Sequence, residues 1–348
     1  MRRQNKIFTV CGLLLAVSLL VFGCKKSQNP KIGSENQNQK VKVVATIFPL
    51  YDWAKNIVSG SENVELELLV KNGSDLHSFQ LSTQDIVKIS TADVLIYVGG
   101  ESDSWLGDAL KNSVNKNQTV INLMKELSES VKEEEIIEGM SESEKKAEKM
   151  LELENSAENQ KKELEYDEHI WLSVANAKSS VEKIAAVLEE KDSGEKSIFE
   201  ANKKSYLEKL GEMEIVIDYE KAENPEKRQT IVVCDRFPFR YMTDELGIKY
   251  YAAFAGCSAE SEASFETIAF LSRKIRELDC GEVFVTESSD KKIAQTVIKN
   301  AGLEGKCGIS VLDSMQSTTL DEAEKGKNYI DVMKENYRKL GFANEFAK

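Results

Sequence analysis

Lys40-Val-Lys-Val-Val-Ala-Thr-Ile47, then Phe48-Pro-Leu-Tyr-Asp-Trp-Ala-Lys-Asn-Ile-Val58, then Val64-Glu-Leu-Glu-Leu-Leu-Val70 is the stretch that decides the fold. The first segment alternates and then turns continuously apolar, the pattern of a strand. Tyr51 to Val58 reads as a helix and Val64 to Val70 as a second strand. Ser82 in Leu81-Ser82-Thr83-Gln84-Asp85 is placed to cap a helix reaching Ser90, and Val94 to Val98 supplies a third strand. Strands alternating with helices imply a parallel α/β unit.

The same grammar returns further on. Thr230 to Cys234, Tyr250 to Ala253, Glu282 to Thr286 and Gly308 to Leu312 read as strands. Between and after them, Phe239 to Leu246, Phe265 to Leu278, Lys291 to Ala301 and Tyr329 to Leu340 read as helices. A helical pattern runs from Leu172 to about Ile217, broken only near Asp192-Ser193-Gly194. The expected architecture is two similar parallel-sheet lobes, 41–185 and 221–348, joined by a long helix over 186–220. Ligands of open parallel sheets bind beyond the carboxyl ends of the strands, so a cleft between the lobes is the place to look. One segment breaks the pattern. Residues 125–166 are crowded with Glu and Lys and carry no sustained apolar stripe, which predicts a solvated, mobile insertion, helical in parts.

The first residues belong to targeting rather than to the fold. Arg2, Arg3 and Lys6 precede an almost wholly apolar run from Ile7 to Phe22, and Gly23 stands just before Cys24. A basic start, a short apolar run and a small residue at the exit read as a secretory signal over 1–23. The run falls short of the ~20 residues that cross a bilayer. Cys24 stands where bacterial lipoproteins carry their lipidated cysteine, which resembles a lipobox and implies a membrane anchor. Residues 24–40, rich in Ser, Asn and Gln, then read as a flexible tether. Without residues 1–23 the chain holds 43 basic and 59 acidic side chains, a net of −16, which disfavours nucleic acid and is compatible with a cationic cargo. Of the remaining cysteines, Cys234, Cys257, Cys280 and Cys307, none forms a CxxC pair, and a bond between Cys280 and Cys307 is expected.

The chain has two histidines, His77 in Asp75-Leu-His-Ser-Phe79 and His169 in Asp167-Glu-His-Ile-Trp-Leu-Ser-Val-Ala-Asn-Ala177. Each follows an acidic residue at an apparent segment break, where a side chain is not needed to fill a core. Both segments resemble motifs of the zinc- and manganese-binding proteins of ABC importers, the cluster A-I or cluster 9 substrate-binding proteins. The first matches Asp-Pro-His-x-Tyr/Phe except for Leu76. The second matches Asp-Pro-His-x-Trp-Leu-Asp-Pro-x-Asn-Ala at Asp167, His169, Trp171, Leu172, Asn176 and Ala177. Gly100 to Leu106, Gly256 to Ser264 and Tyr329 to Met333 resemble further family segments, so the likeness spans almost the whole mature chain.

The resemblance implies an extracytoplasmic, lipid-anchored and monomeric protein that captures Zn²⁺, or Mn²⁺, and delivers it to a membrane permease and its ATPase. It also implies four ligands. His77 and His169 are the first two. Anchoring on Phe239-x-Tyr241 and Gly247 puts the third at Arg236, which cannot bind a cation. Asp235 takes its place, with the following loop one residue longer than usual, and Cys234 is the alternative. Asp235 could equally cap a helix or pair with Arg236. The fourth is Asp313 in Val311-Leu-Asp-Ser-Met315, and Glu287 is a fifth candidate that could instead cap the helix opening near Asp290. Two imidazoles with two carboxylates suit four-coordinate zinc and tolerate manganese; the Irving–Williams order favours zinc. The His-rich loop of some zinc-specific members has no counterpart in residues 125–166. A surface adhesin is an alternative function. A zinc hydrolase is another, but the chain lacks H-E-x-x-H and G-x-S-x-G, so no enzyme is expected.

Overall fold

A computed structural model describes residues 40–74, 79–141, 165–223, 230–258 and 262–342. Eight strands form two four-stranded sheets. The first holds β1 (Val41–Ala45), β2 (Val64–Leu68), β3 (Val94–Tyr97) and β4 (Thr119–Asn122) in the order β2-β1-β3-β4. The second holds β5 (Ile231–Phe237), β6 (Tyr250–Ala255), β7 (Glu282–Thr286) and β8 (Gly308–Leu312) in the order β6-β5-β7-β8. Every pairing is parallel. The two expected lobes are therefore present and share one topology.

Strand period two explains how each sheet is buried on both faces. In β1, Val43 and Ala45 face a central apolar core while Val44 faces an outer one; in β3, Val94 and Ile96 oppose Leu95 in the same way. In β5, Ile231, Val233 and Phe237 join the central core while Val232 and Cys234 join the outer core of the second lobe. The central core runs unbroken through both lobes, so the lobe boundary is one of topology and not of packing.

Two consecutive helices, Val174–Lys191 and Lys196–Glu223, pack against each other and against the Phe48–Ile57 helix, with the break where Asp192-Ser193-Gly194 predicts it. The second is 28 residues, about 42 Å, and buries Phe199, Tyr206, Leu210, Met213 and Ile217 at alternating spacings of three, four and seven. The last helix, Tyr329–Lys339, crosses back between the lobes: the Tyr329 ring meets Trp53 edge-on at 5.2 Å. Asp52, 4% exposed, accepts hydrogen bonds from Tyr206 Oη (3.1 Å) and the Tyr329 amide (3.2 Å), joining first lobe, long helix and final helix at one carboxylate. Burial pushes Asp52 up to about 6 against the opposing pull of these donors and of Lys55.

Three expectations are corrected. β5 does not stop at Cys234 but continues to Phe237, and its pairing with β6 shifts by one residue between Val233 and Arg236. The root of the acidic insertion is ordered. Residues 131–141 lie against the second lobe, with Met140 buried and Val131, Ile136 and Ile137 packed on the central core. Four apolar residues at irregular spacing leave no stripe for a periodicity argument to find. Residues 142–164 lie outside the described residues. Finally, Cys234, Cys257, Cys280 and Cys307 are free thiols. The register of β7 and β8 sets Gly281, not Cys280, across from Cys307, with the Gly308 amide bonded to the Gly281 carbonyl at 2.8 Å.

Candidate metal centre

His169 sits where the strap-like root of the insertion returns to the first lobe, just before a single 3-10 turn, Ile170–Leu172. The turn is fixed from three sides. Trp171 Nε1 donates to the Ser314 carbonyl of the second lobe (2.9 Å), Tyr329 Oη donates to the Trp171 carbonyl (2.6 Å), and Asn176 Nδ2 donates to the Ile170 carbonyl (3.1 Å). The Trp and Asn of the second motif thus serve to hold the turn beside the histidine.

The imidazole is fully buried, and its Nδ1 lies 2.8 Å from Asp167 Oδ1, which also accepts the His169 amide at 2.9 Å. An ionised carboxylate can only accept, so Nδ1 carries a proton, and in the neutral form of the ring the lone pair lies on Nε2. This carboxylate–imidazole arrangement orients a histidine for a cation and raises its basicity. Burial resists charging of the ring, but the bond and charge of Asp167, with Glu168 and Glu134 nearby, outweigh it and hold the pKa above the usual histidine range. Gly256 leaves room for the ring: a Cβ there would lie 2.9 Å from the Phe237 carbonyl oxygen and 3.1 Å from His169 Cε1.

Asp235 lies at the one-residue register shift of β5, a bulge-like irregularity of the kind that re-aims a side chain. Its Oδ2 accepts from Thr286 Oγ1 at 3.0 Å and its Oδ1 from the Arg236 amide at 2.8 Å. Cys234 is corrected as a ligand. It is 1% exposed, faces the outer core of the second lobe, and burial lifts its thiol far above the ordinary range.

The carboxylates after β7 and β8 are occupied. Glu287 accepts the Ser314 amide and hydroxyl (both 2.8 Å) and the Ser317 hydroxyl (3.0 Å), so it shapes the loop that follows β8. Its burial and the neighbouring Asp313 raise its pKa. Asp313 pairs with Lys327 Nζ at 2.7 Å and accepts the Met315 amide at 2.8 Å. His77 and Cys24 lie outside the described residues. On either side of His77, Phe79 packs on Trp105 at 5.6 Å between centroids, and Gly73 closes against the Ser317 carbonyl. Among the described residues no three His, Cys, Asp or Glu side chains converge on a metal-sized site.

The family profile described as zinc-uptake complex component A, periplasmic, matches residues 43–343. The chain belongs to this family. It is 28% identical over 324 residues to the high-affinity zinc uptake system protein ZnuA of Bacillus subtilis, covering 93% of both chains. It is 29% identical over 341 residues to the zinc-binding protein AdcA of Streptococcus pyogenes, covering 96% of this chain. The chain spans 62% of the length of that relative. Among solved structures, the metal-dependent lipoprotein YcdH of Bacillus subtilis superposes with a TM-score of 0.64 at 25% identity over 86% of this chain and 98% of that one. Zn(II)-bound AdcA of Streptococcus pneumoniae gives a TM-score of 0.64 over 88% of this chain and 58% of that one, and at 24% identity it speaks for the fold alone.

Two further groups escaped the sequence reading. Gln316, in the loop shaped by Glu287, is 8% exposed, and its Oε1 is buried with no hydrogen-bond partner among the described residues. A neutral amide at that place has no signal in composition or charge. Glu134 comes from the ordered root of the insertion, accepts the Cys257 amide at 2.8 Å, and acts electrostatically on Asp167 and His169; burial raises its pKa. It is one of many Glu in residues 125–166 and cannot be singled out by pattern.

Proposed function

We propose that this family member is an extracytoplasmic, lipid-anchored substrate-binding protein that captures a divalent transition metal between its lobes and delivers it to an ABC-type permease and its ATPase. Zinc is the preferred cargo over manganese. The observation that carries the reading is the buried Asp167–His169 pair, whose geometry is that of a histidine pre-oriented for a cation. The family description and the names of the relatives as zinc-binding and zinc-uptake proteins support it. A relative from Streptococcus pneumoniae carries the name zinc-binding lipoprotein, in keeping with an anchor at Cys24.

His77, His169 and Asp235 supply three donors in this reading, and the fourth comes from the loop after β8. There Gln316 Oε1 is preferred to Asp313, because the amide oxygen is buried without a partner while Asp313 already neutralises Lys327. Two imidazoles, one carboxylate and one carbonyl-type oxygen suit tetrahedral zinc at about 2.0–2.2 Å. The domain lacking residues 1–39 is stripped with a chelator and titrated with Zn²⁺ and Mn²⁺ under native mass spectrometry, beside H77A, H169A, D235A, D313A and Q316A. One tightly held zinc ion per monomer, lost in both histidine variants, is the expected result. Failure to bind either metal tightly would overturn the reading.

A further inference from the structure

Tyr241 belongs to the helix Arg240–Leu246 of the second lobe and is 2% exposed. Its hydroxyl accepts the Lys132 amide at 3.0 Å and donates to the Asp167 carbonyl at 2.8 Å. The Asp167 amide in turn donates to the Lys132 carbonyl at 2.9 Å. These three hydrogen bonds close a ring that ties a phenol of one lobe to both arms of the insertion root emerging from the other. One of those arms, Asp167, is the residue that grips the imidazole.

The rest of the root fastens to the same lobe. The Ser141 amide donates to the carbonyl of Ala253 in β6, an edge strand of its sheet, at 3.0 Å. The Cys257 amide just beyond β6 donates to Glu134, and Tyr250 Oη donates to Glu135 at 2.9 Å. Lys132 also pairs with Asp244, three residues beyond Tyr241. A free sheet edge is thereby covered by a segment whose own chain starts in the other lobe.

We propose that residues 131–141 form a latch between the lobes, and that Tyr241 is its positioning residue, setting how long a captured cation stays. The inference rests on the metal-capture reading above. The ring of Tyr241, Lys132 and Asp167 keeps the Asp167 backbone in place, and Asp167 keeps Nε2 of His169 aimed. The imidazole leaves its bound orientation only after that ring opens, so the latch acts on release of the ion and not on its arrival.

Y241F deletes one oxygen and keeps the buried ring. Zinc-loaded protein is mixed with excess chromogenic chelator in a stopped-flow instrument, and zinc uptake by the chelator-stripped protein is followed separately. With both hydroxyl bonds lost, release is expected to quicken about tenfold while the association rate stays within about twofold. Y250F, which loosens the latch further from His169, quickens release less. V181A, a core truncation in the Val174–Lys191 helix, lowers thermal stability without quickening release. If Y241F lowers thermal stability as V181A does but releases zinc at the wild-type rate, the tyrosine is merely structural and the proposal fails. If the wild-type protein binds no zinc, the capture reading itself has failed, and the latch falls with it.

Discussion

Asp52 offers the sharpest test of the fold, because its environment and its titration are tied together. The carboxylate is almost fully buried, and burial raises it from an ordinary 3.8 to about 6, against the bonds from the Tyr329 amide and Tyr206 Oη and the charge of Lys55. Between those two values the folded protein holds the proton more firmly than the unfolded chain. Stability therefore falls as pH rises through that window and levels off above about pH 6. A difference of roughly two pH units corresponds to about 3 kcal/mol from this one group. D52N keeps an acceptor for Tyr206 and Tyr329 but cannot ionise, so its stability lacks this component. Urea unfolding of both proteins, followed by circular dichroism from pH 4 to pH 7.5, isolates the effect, since all other titrating groups are common to both. The stability of D52N relative to wild type should improve by roughly 2.4 kcal/mol across the range. A difference that stays constant with pH, or moves the other way, would refute the argument that burial dominates at Asp52.

Three further outcomes follow from the metal centre. D167A removes the group that orients His169 and should weaken zinc binding about 10–100-fold without abolishing it, as read by competition with a fluorescent chelator. G256A forces a methyl group against the Phe237 carbonyl oxygen and the imidazole; isothermal titration should show weaker zinc binding, and wild-type affinity would mean that the ring has room to yield. Q316E should tighten zinc by at least about tenfold if the amide oxygen is a ligand, whereas Q316L should weaken it; equal affinities in all three would remove Gln316 from the site.

Much of the fold was legible because strands buried on both faces leave continuous apolar runs. Glu282–Thr286, with Val283, Phe284 and Val285 all buried, was read to the residue for that reason. β4 was not, since Thr119-Val-Ile-Asn122 is short and follows a polar turn, and neither was the return of the final helix onto Trp53. At the centre, the motif around His169 pointed to its own supports: Asp167, Trp171 and Asn176 each hold the turn. β5 carries a one-residue register shift beside Asp235, inside the strand and not in the loop that follows it, which no apolar pattern in the sequence signals. Asp313 was singled out by a motif and Glu287 by its place at a strand end, and neither signal says which carboxylates are already engaged. Gln316 became visible only through its orphaned amide oxygen, and Tyr241, present in the sequence only as a motif anchor, gained a role only through the hydrogen bonds of its hydroxyl.

The strand order that runs β2-β1-β3-β4 in one lobe runs β6-β5-β7-β8 in the other. In each the order reverses beside the lobe's first strand, so Thr46 after β1 and Asp235 in β5 occupy corresponding ends of twin crevices. The two lobes are matched in topology, like the jaws of a vise. With an ion captured between them, as proposed above, each jaw would supply only half of the coordination sphere, and the second would act as a check on the first. Selectivity in a device of this kind is a matter of alignment: a substitution that shifts one jaw by a fraction of an ångström would blur the choice of metal before it lowered the stability of either half.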